Sequence, residues 1–280
     1  MYSKVKMRIA SILLIILFSF VGFIAVFPLL ALAIASLKPS TELMRQGINL
    51  NLQWDLISLN NYTFLFTDGT TYLNWYFNSI MVSGILIVVS LFFSSIVGYA
   101  LAVYKFRGQN LVFLLVLLTL MIPFEILMLP LYQLMATLGL MNTYTGVMLP
   151  MIVAPIAVFF FRQFSLGLPK ELLDAARIDG CTEFGIFFRI MAPLMVPAFA
   201  AMAILQGLFS WNNFLWPLVV LRSNDMFTLP VGLATLLTPY GNNYDVLISG
   251  SVLSVVPILF LFLFFQKYFI SGLSSGGVKG

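Results

Sequence analysis

The sequence contains no histidine and a single cysteine, Cys181, among its 280 residues. One cysteine cannot form a disulfide within the chain, and without histidine neither a Ser-His-Asp triad nor a His/Cys metal site can be built. The phosphate-binding pattern G-x-x-x-x-G-K-[ST] is also absent, so the chain has no P-loop with which to hydrolyse ATP. These absences predict no catalytic residue, no metal site and no cofactor in this chain.

Charged residues are scarce as well. They make up 9% of the sequence, whereas 61% is hydrophobic, and soluble domains contain about 25% charged residues. The composition therefore predicts an all-α integral membrane protein.

The N-terminus begins like a secretory signal, but residues 9–37 form an uncharged stretch of 29 residues, longer than the roughly 7–15 residues of a signal's apolar region. We interpret it as an uncleaved first span.

Long apolar runs predict six transmembrane helices. The predicted spans are 10–37, 76–104, 111–135, 144–164, 194–221 and 246–269. They organise the chain into an N-terminal helix with an external loop, a transmembrane core that includes a cytoplasmic loop, and a cytoplasmic C-terminal tail. These parts cover residues 1–75, 76–269 (with the loop at 165–193) and 270–280.

The cationic residues predict the orientation of the spans. With the N-terminus inside, eleven of the fourteen lysines and arginines fall in inner segments, and only Lys38, Arg45 and Arg222 fall outside. Cytoplasmic segments of membrane proteins carry such an excess of cations. Both termini are therefore predicted to be cytoplasmic, and the basic net charge reflects topology. We expect membrane lipid, rather than nucleic acid, around this chain.

One inner segment, "LPKELLDAARIDGCTEFGIFFRIMAPLMVP" at residues 168–197, is unusually rich in charge. Pro169 suits the start of a helix and Gly180 the left-handed residue that ends one. Thr182 is placed to cap a second helix. A stripe of apolar residues follows at helical spacing and predicts a face packed on the bundle; it consists of Phe184, Phe187, Phe188 and Met191.

The segment thus combines an apolar face with a face of charges and small side chains. Two interpretations fit the residues alone. One is a docking surface for a partner protein, since Ala175 and Ala176 near Gly180 permit close approach of another backbone. The other is an amphipathic loop that lies on the bilayer surface.

A resemblance favours docking. The segment resembles the EAA loop of ABC-importer permeases, a pattern of E-A-A, three residues, Gly, about nine residues and I-x-L-P. The matching positions are Asp174, Ala175, Ala176, Gly180, Ile190 and Pro193. Asp174 stands where the family usually has Glu, and Ala192 stands where Leu is common. Asp174 keeps the charge of the family's Glu but shortens the reach of the carboxylate toward the ATPase.

The resemblance extends over most of the chain. "NYTFLF" before the second span, "SWNNFLWPLVV" after the loop and the terminal "GGVKG" are similar to MalG-type permeases of carbohydrate ABC importers. Within that group the sequence most resembles the permeases of arabino-oligosaccharide importers. The resemblance implies the type I ABC importer permease fold and a place in the bacterial cytoplasmic membrane.

The family also implies partners. They are a second permease that completes a heterodimer, two cytoplasmic ABC ATPase subunits that hold ATP and Mg, and an external solute-binding protein. By this resemblance, the residues that couple the chain to its ATPase are Glu171, Asp174, Ala175, Ala176, Asp179 and Gly180. The family's C-terminal tail reaches the same ATPase, which suggests contacts by Gly277, Val278 and Lys279.

An outer loop and an intramembrane patch complete the candidate sites. The loop at 222–245 corresponds to the family's loop that probes the sugar cleft of the binding protein; its candidate residues are Pro239, Tyr240, Gly241, Asn242, Asn243 and Tyr244. An ordinary surface turn has the same composition.

In the membrane, Glu125 lies between Pro123 and Pro130 and is the only acid inside a predicted span.

The fifth span adds a polar and aromatic patch, which consists of Trp211, Asn212, Asn213 and Trp216. This patch and Glu125 either line the sugar path or stabilise helix contacts.

Three other functions are open to test. A secondary transporter generally places ionisable groups near the membrane midplane, and one glutamate without histidine supports proton coupling poorly. An ABC importer for another solute, such as an amino acid or a phosphorylated polyol, would have the same loop. A membrane enzyme has little support from the residues present.

Overall fold

The computed structural model describes residues 2–47, 53–67, 71–238 and 241–277. These residues form fifteen α-helices: α1 Tyr2–Ser36, α2 Ser40–Gln46, α3 Asn60–Leu65, α4 Tyr72–Val103, α5 Gln109–Leu120, α6 Phe124–Thr137, α7 Tyr144–Met148, α8 Pro155–Leu166, α9 Lys170–Ile178, α10 Glu183–Ile186, α11 Ala192–Leu194, α12 Val196–Trp211, α13 Leu215–Val220, α14 Leu229–Thr235 and α15 Tyr244–Gly277. Three 3-10 turns lie at Trp54–Leu56, Leu149–Met151 and Asn224–Met226, and a π-helical turn at Phe187–Met191.

The predicted all-α class is confirmed. A small antiparallel hairpin, β1 Leu237–Thr238 with β2 Gly241–Asn242, is the one strand pairing in the part of the chain that the structure describes. Its register places Leu237 opposite Asn242.

Six apolar segments are long enough to cross a membrane, but only three of them are single helices. The single helices are Ala10–Ser36, Tyr72–Val103 and Tyr244–Lys267. The other segments are bent pairs: Gln109–Leu120 with Phe124–Thr137 at 103°, Tyr144–Met151 with Pro155–Leu166 at 42°, and Glu183–Leu194 with Val196–Trp211 at 77°. Within the described residues, counting each pair as one span gives six, the predicted number. The last pair begins at Glu183, inside the predicted cytoplasmic loop 165–193, so only its second helix, Val196–Trp211, lies in the predicted fifth span.

Prolines explain two of the three bends. Pro123 precedes α6 in an extended conformation, with φ −59° and ψ 135°. Ala154, the residue before Pro155, is extended as well, with φ −85° and ψ 117°. A proline disfavours the helical conformation of the residue before it and lacks the N–H that a continuous helix needs. The spans predicted at 111–135 and 144–164 are therefore interrupted helices. The span predicted at 194–221 is interrupted as well, at residues 212–214 between α12 and α13, and the apolar runs alone did not reveal any of these breaks.

The chain divides into two compact units. The first unit contains Met1–Leu73 and Leu233–Val255. Side-chain hydrogen bonds hold its helices together. Asp245 accepts hydrogen bonds from the backbone N–H of Ser40 at 2.6 Å and from Ser40 Oγ at 3.0 Å. Asn61 Nδ2 donates to the carbonyl oxygens of Ser36 and Lys38, both at 2.9 Å. These bonds connect the end of α1 and the start of α2 with α3 and α15.

The second unit, Asn74–Gly232 with Val256–Gly280, holds most of the buried apolar side chains. One cluster joins α4, α8, α9 and α12, and includes Tyr99, Phe161, Leu173, Ala176 and Met202. A helix contact within this unit depends on Gly98. A Cβ placed there would lie 2.7 Å from both Phe161 Cβ and the Val158 carbonyl oxygen, so α4 and α8 meet backbone to backbone.

Candidate functional site

The first candidate site is α9 and the turn that follows it. Helix α9 ends at the predicted glycine: Gly180 has a φ of +78°, in the left-handed region. The Gly180 N–H donates to the Arg177 carbonyl at 3.1 Å, and the Cys181 N–H donates to the Ala176 carbonyl at 3.0 Å. This pair of bonds is the Schellman motif, which satisfies carbonyls at a helix end. The prediction that Gly180 ends the helix in a left-handed conformation is confirmed.

The next helix begins as predicted too. Thr182 Oγ1 accepts a hydrogen bond from the Gly185 N–H at 3.2 Å and caps α10. The helix then widens into the π-helical turn and reaches Pro193 within α11. Two short helices joined by a glycine turn therefore form the predicted segment.

Five of the six predicted coupling residues lie on the surface. Glu171, Asp174, Ala175, Asp179 and Gly180 are exposed. The sixth, Ala176, is 4% exposed and packs in the core. Its small side chain lets α9 sit close to the bundle, and the coupling role of all six residues stays a prediction.

The apolar stripe divides in a similar way. Phe187 and Met191 are buried, whereas Phe184 is 73% exposed and Phe188 is 47% exposed. On α9, the Ile178 side chain is 87% exposed. The surface of α9 and α10 thus presents exposed apolar side chains beside carboxylates, and exposed aromatic side chains such as Phe184 are enriched at protein interfaces. The predicted packing of the whole stripe was wrong, because α10 presents Phe184 outward.

Glu183 links three parts of this segment, a role that the sequence pattern did not indicate. Glu183 Oε1 accepts a hydrogen bond from Arg177 Nε at 2.8 Å, and Glu183 Oε2 accepts one from Tyr104 Oη at 2.7 Å. Arg177 also lies 3.5 Å from Asp174. The hydrogen bond from Arg177, and then that from Tyr104, lowers the pKa of Glu183 below its ordinary value of 4.5. The carboxylate thus holds α9 and α10 against the end of α4.

We expect Glu183→Gln to lower the thermal midpoint of the purified chain slightly at neutral pH, since an exposed ion pair contributes roughly 0–1 kcal/mol. Because the pKa of Glu183 is lower in the folded state, the ionised carboxylate contributes to the stability of the fold above the ordinary pKa of 4.5. This contribution is lost as the pH falls through the pKa of the folded state. The difference in thermal midpoint between wild type and variant should therefore shrink as the pH falls below 4.5. Thermal unfolding across this pH range measures it.

Glu171→Gln is the matched control, because Glu171 is exposed on α9 and the described residues place no cation within 4.0 Å of it. A pH-independent difference between Glu183→Gln and wild type would contradict the role assigned to the carboxylate.

The second candidate site is a cavity of about 700 Å³. It is lined by ends of α6, α8, α12 and α13, and its polar side chains are those of Glu125, Gln206, Ser210, Asn212 and Asn213. The cavity lies beside the break between α12 and α13, and Glu125 enters it from the first turn of α6. The structure therefore brings together residues that were singled out on two separate predicted spans.

Most of these polar side chains already have a partner. Asn212 Nδ2 donates to the Leu208 carbonyl at 2.9 Å, and Gln206 Nε2 donates to Ser90 Oγ at 3.4 Å. The two predicted tryptophans have a different role. Trp216 borders the cavity but is fully buried, and its Nε1 donates to the Val147 carbonyl at 3.1 Å.

Trp211 does not line the cavity and is buried against Tyr76, with ring centroids 5.8 Å apart. The structure therefore gives both indoles a packing role.

The predicted loop and tail are described in part. Pro239 and Tyr240 lie outside the described residues, and Gly241 and Asn242 form β2. Asn243 Oδ1 accepts a hydrogen bond from the Val246 N–H at 3.2 Å, at the start of α15 that also contains Tyr244. In the tail, Gly277 is the last residue of α15, while Val278 and Lys279 lie outside the described residues. Asn243 thus has a local capping role.

Comparison with known proteins places this architecture. The model of the family "Binding-protein-dependent transport system inner membrane component" matches residues 91–275. The chain is 69% identical to the arabinooligosaccharides transport system permease protein AraQ of Halalkalibacterium halodurans, over 97% of this chain and 98% of the relative. It is 61% identical to AraQ of Bacillus subtilis, over 98% of each chain.

A solved structure shares the fold. A chain in the crystal structure of a bacterial ABC transporter involved in the import of the acidic polysaccharide alginate superposes with a TM-score of 0.81. The two chains are 23% identical, and the match covers 94% of this chain and 97% of the other. By its sequence and its architecture, the chain belongs to the family of inner membrane components of binding-protein-dependent transport systems.

Proposed function

We propose that this chain is a permease subunit of an ATP-binding-cassette importer that moves arabino-oligosaccharides across the bacterial cytoplasmic membrane. The observation that carries the proposal is the 69% identity with an arabinooligosaccharides permease over nearly the whole of both chains. Relatives that are 33% identical include a lactose and a glycerol-3-phosphate permease, so the family alone does not define the solute.

The remaining subunits supply what this chain lacks. A second permease completes a heterodimer, two cytoplasmic ATPases bind ATP and Mg and hydrolyse ATP, and an external binding protein delivers the sugar. The absence of a P-loop in this chain supports hydrolysis by a partner. The excess of cations in the predicted inner segments supports cytoplasmic termini and an ATPase on the side of α9.

Helix α9 is the part that transmits motion from the ATPase. Its exposed carboxylates, Glu171 and Asp174, and the exposed Ile178 offer charge and apolar contact to a partner surface. On its other face, Leu173 and Ala176 pack in the core with Phe161 of α8. Because the same short helix has one exposed face and one buried face, a displacement by the ATPase would reach the transmembrane helices directly.

The membrane cavity is proposed as part of the sugar path. Amide and carboxylate side chains suit the hydroxyl groups of sugars, and those of Asn212, Asn213 and Glu125 line a space of about 700 Å³. Pockets for small ligands have volumes of roughly 300–1,000 Å³. The two predicted tryptophans are not proposed to touch the sugar, since both are buried.

We expect Asn212→Ala to weaken sugar transport by roughly two- to tenfold, the effect of losing one hydrogen bond of about 0.5–1.5 kcal/mol. Concentration-dependent uptake in reconstituted vesicles measures it, with ATP hydrolysis followed in parallel. Asn110→Ala is the control, because Asn110 is exposed and does not line the cavity. Equal uptake by both variants and wild type would remove Asn212 from the path.

Isolation of the native assembly tests the proposed function. The chain is tagged at its N-terminus, extracted in mild detergent, and its partners are identified by mass spectrometry. We expect a second permease and a P-loop ATPase in fixed ratio, together with ATP-dependent uptake of arabino-oligosaccharides. Recovery of the chain alone, with uptake that follows an ion gradient and not ATP, would instead establish a secondary transporter. ATP-dependent uptake of a different solute would overturn the sugar assignment only.

A further inference from the structure

A cationic pocket of about 470 Å³ lies beside α9 and shares no lining residue with the membrane cavity. It is formed by the end of α4, the start of α5, the end of α8 and one face of α9. Four cationic side chains and one carboxylate line it: Lys105, Arg162, Lys170, Arg177 and Asp174. The pocket therefore carries an excess of positive charge, and no role assigned above uses Lys105, Arg162 or Lys170.

Among the residues that the structure describes, only one of the four cations has a carboxylate partner. Arg177 pairs with Asp174 at 3.5 Å and with Glu183 at 2.8 Å. In the part of the chain that the structure describes, no carboxylate oxygen lies within 4.0 Å of the charged nitrogens of Lys105, Arg162 or Lys170. Lys105, Arg162 and Lys170 line one pocket whose single carboxylate, Asp174, pairs with Arg177, so their like charges repel one another and a bound anion would relieve the repulsion.

Arg162 is held in place inside this pocket. Its Nε donates a hydrogen bond to the Leu101 carbonyl at 3.2 Å, and its guanidinium carbon lies 3.7 Å from the centroid of the Phe113 ring. Stacking on an aromatic face stabilises a guanidinium and fixes its plane. Because the side chain is fixed beforehand, it loses little conformational freedom when its other N–H groups bind a ligand.

We propose that this pocket binds a phosphate group. A guanidinium matches the oxygens of a phosphate with two parallel hydrogen bonds, and lysines add charge without a strict geometry. The apolar wall, which includes Leu166, Leu168 and Met191, suits the glycerol part of an anionic phospholipid. Basic pockets between transmembrane helices bind such headgroups, and free phosphate offers the same chemistry. A bound phosphate would join α9, through Lys170, to the α4–α5 connection, through Lys105.

A charge-matched pair of double variants tests the pocket in the full-length chain. Lys105→Gln with Lys170→Gln removes two pocket cations, both on exposed residues whose loss leaves the core intact. Arg107→Gln with Arg189→Gln removes the same charge from exposed residues that do not line the pocket.

Native mass spectrometry in detergent then measures binding of added phosphatidylglycerol, with and without inorganic phosphate. Elution as a single species on size exclusion verifies folding, and Lys105→Gln alone replaces the double variant if it aggregates.

We expect the pocket variant to bind phosphatidylglycerol roughly tenfold or more weakly than wild type, and the control variant to bind almost normally. Displacement of the lipid by inorganic phosphate would support a phosphate site that also accepts the soluble ion. Binding of the lipid without such competition would support a headgroup site. Equal weakening in both double variants, or no weakening in the pocket variant, would overturn the proposal and leave the pocket to an acidic segment of a partner protein. None of these outcomes depends on which solute is transported.

Discussion

Gly180→Val should reach the membrane in normal amounts and transport poorly. Gly180 adopts a φ of +78°, and no atom lies within 4 Å of the position that a Cβ would occupy. Valine therefore meets no steric clash, and its penalty is the backbone strain of roughly 1–2 kcal/mol. That amount shifts a local equilibrium by roughly 5- to 30-fold, away from the turn that presents α9. We expect sugar uptake to fall by about the same factor, while ATPase activity becomes less dependent on the sugar-loaded binding protein.

Gly139→Val is the matched control for this prediction. Gly139 also has a positive φ, of +69°, and open space around its Cβ position, but it ends α6 rather than α9. Gly180→Asn provides a second comparison, since asparagine tolerates the left-handed region better than valine. Normal uptake by Gly180→Val, or an equal loss in Gly139→Val, would show that the α9 turn does not couple the chain to its ATPase.

Gly98→Val should reduce the yield of folded protein. A Cβ at this position would lie 2.7 Å from the Val158 carbonyl oxygen and 2.9 Å from the backbone nitrogen of Arg162. Backbone atoms of α8 cannot rotate away as a side chain can, so the two helices must separate. Overpacking of this kind costs about 1–3 kcal/mol, which corresponds to a fall in thermal midpoint of roughly 2–4 °C per kcal/mol. Thermal unfolding of the detergent-purified chain measures the effect.

The same helix offers the control. Gly84 also lies on α4, but nothing lies within 4 Å of the Cβ that a substitution would add. Gly84→Val therefore has the same intrinsic helix propensity as Gly98→Val and lacks the clash. If the two variants unfold at the same temperature, the close approach of α4 and α8 does not limit stability.

Local chemistry made some features of this protein predictable from sequence. Glycine is the residue that adopts a left-handed conformation without penalty, so Gly180 identified the end of α9 correctly. Thr182 identified the cap of α10 for a similarly local reason. Both features depend on residues within a few positions of each other.

Features that depend on packing between helices could not be read in the same way. Ala175 and Ala176 are chemically identical, and the fold alone decides that the first is exposed and the second buried. The network at Glu183 requires Tyr104, which lies 79 positions earlier in the chain. Likewise, Glu125 and Asn213 line one cavity only because the bent helices bring their ends together.

The break between α12 and α13 also has a consequence for the hydration of the membrane cavity. Residues 212–214 leave the helical conformation beside the membrane cavity. In a chain that spans a membrane, irregular backbone is tolerated where it is buried in protein or lines a water-filled space. Because Asn212 and Asn213 of this break line the cavity with polar side chains, we expect the cavity to stay hydrated between transport cycles. The resting membrane then remains tight to ions only if one end of this hydrated space is always shut, and a variant that loosens both ends would leak before it lost its affinity for sugar.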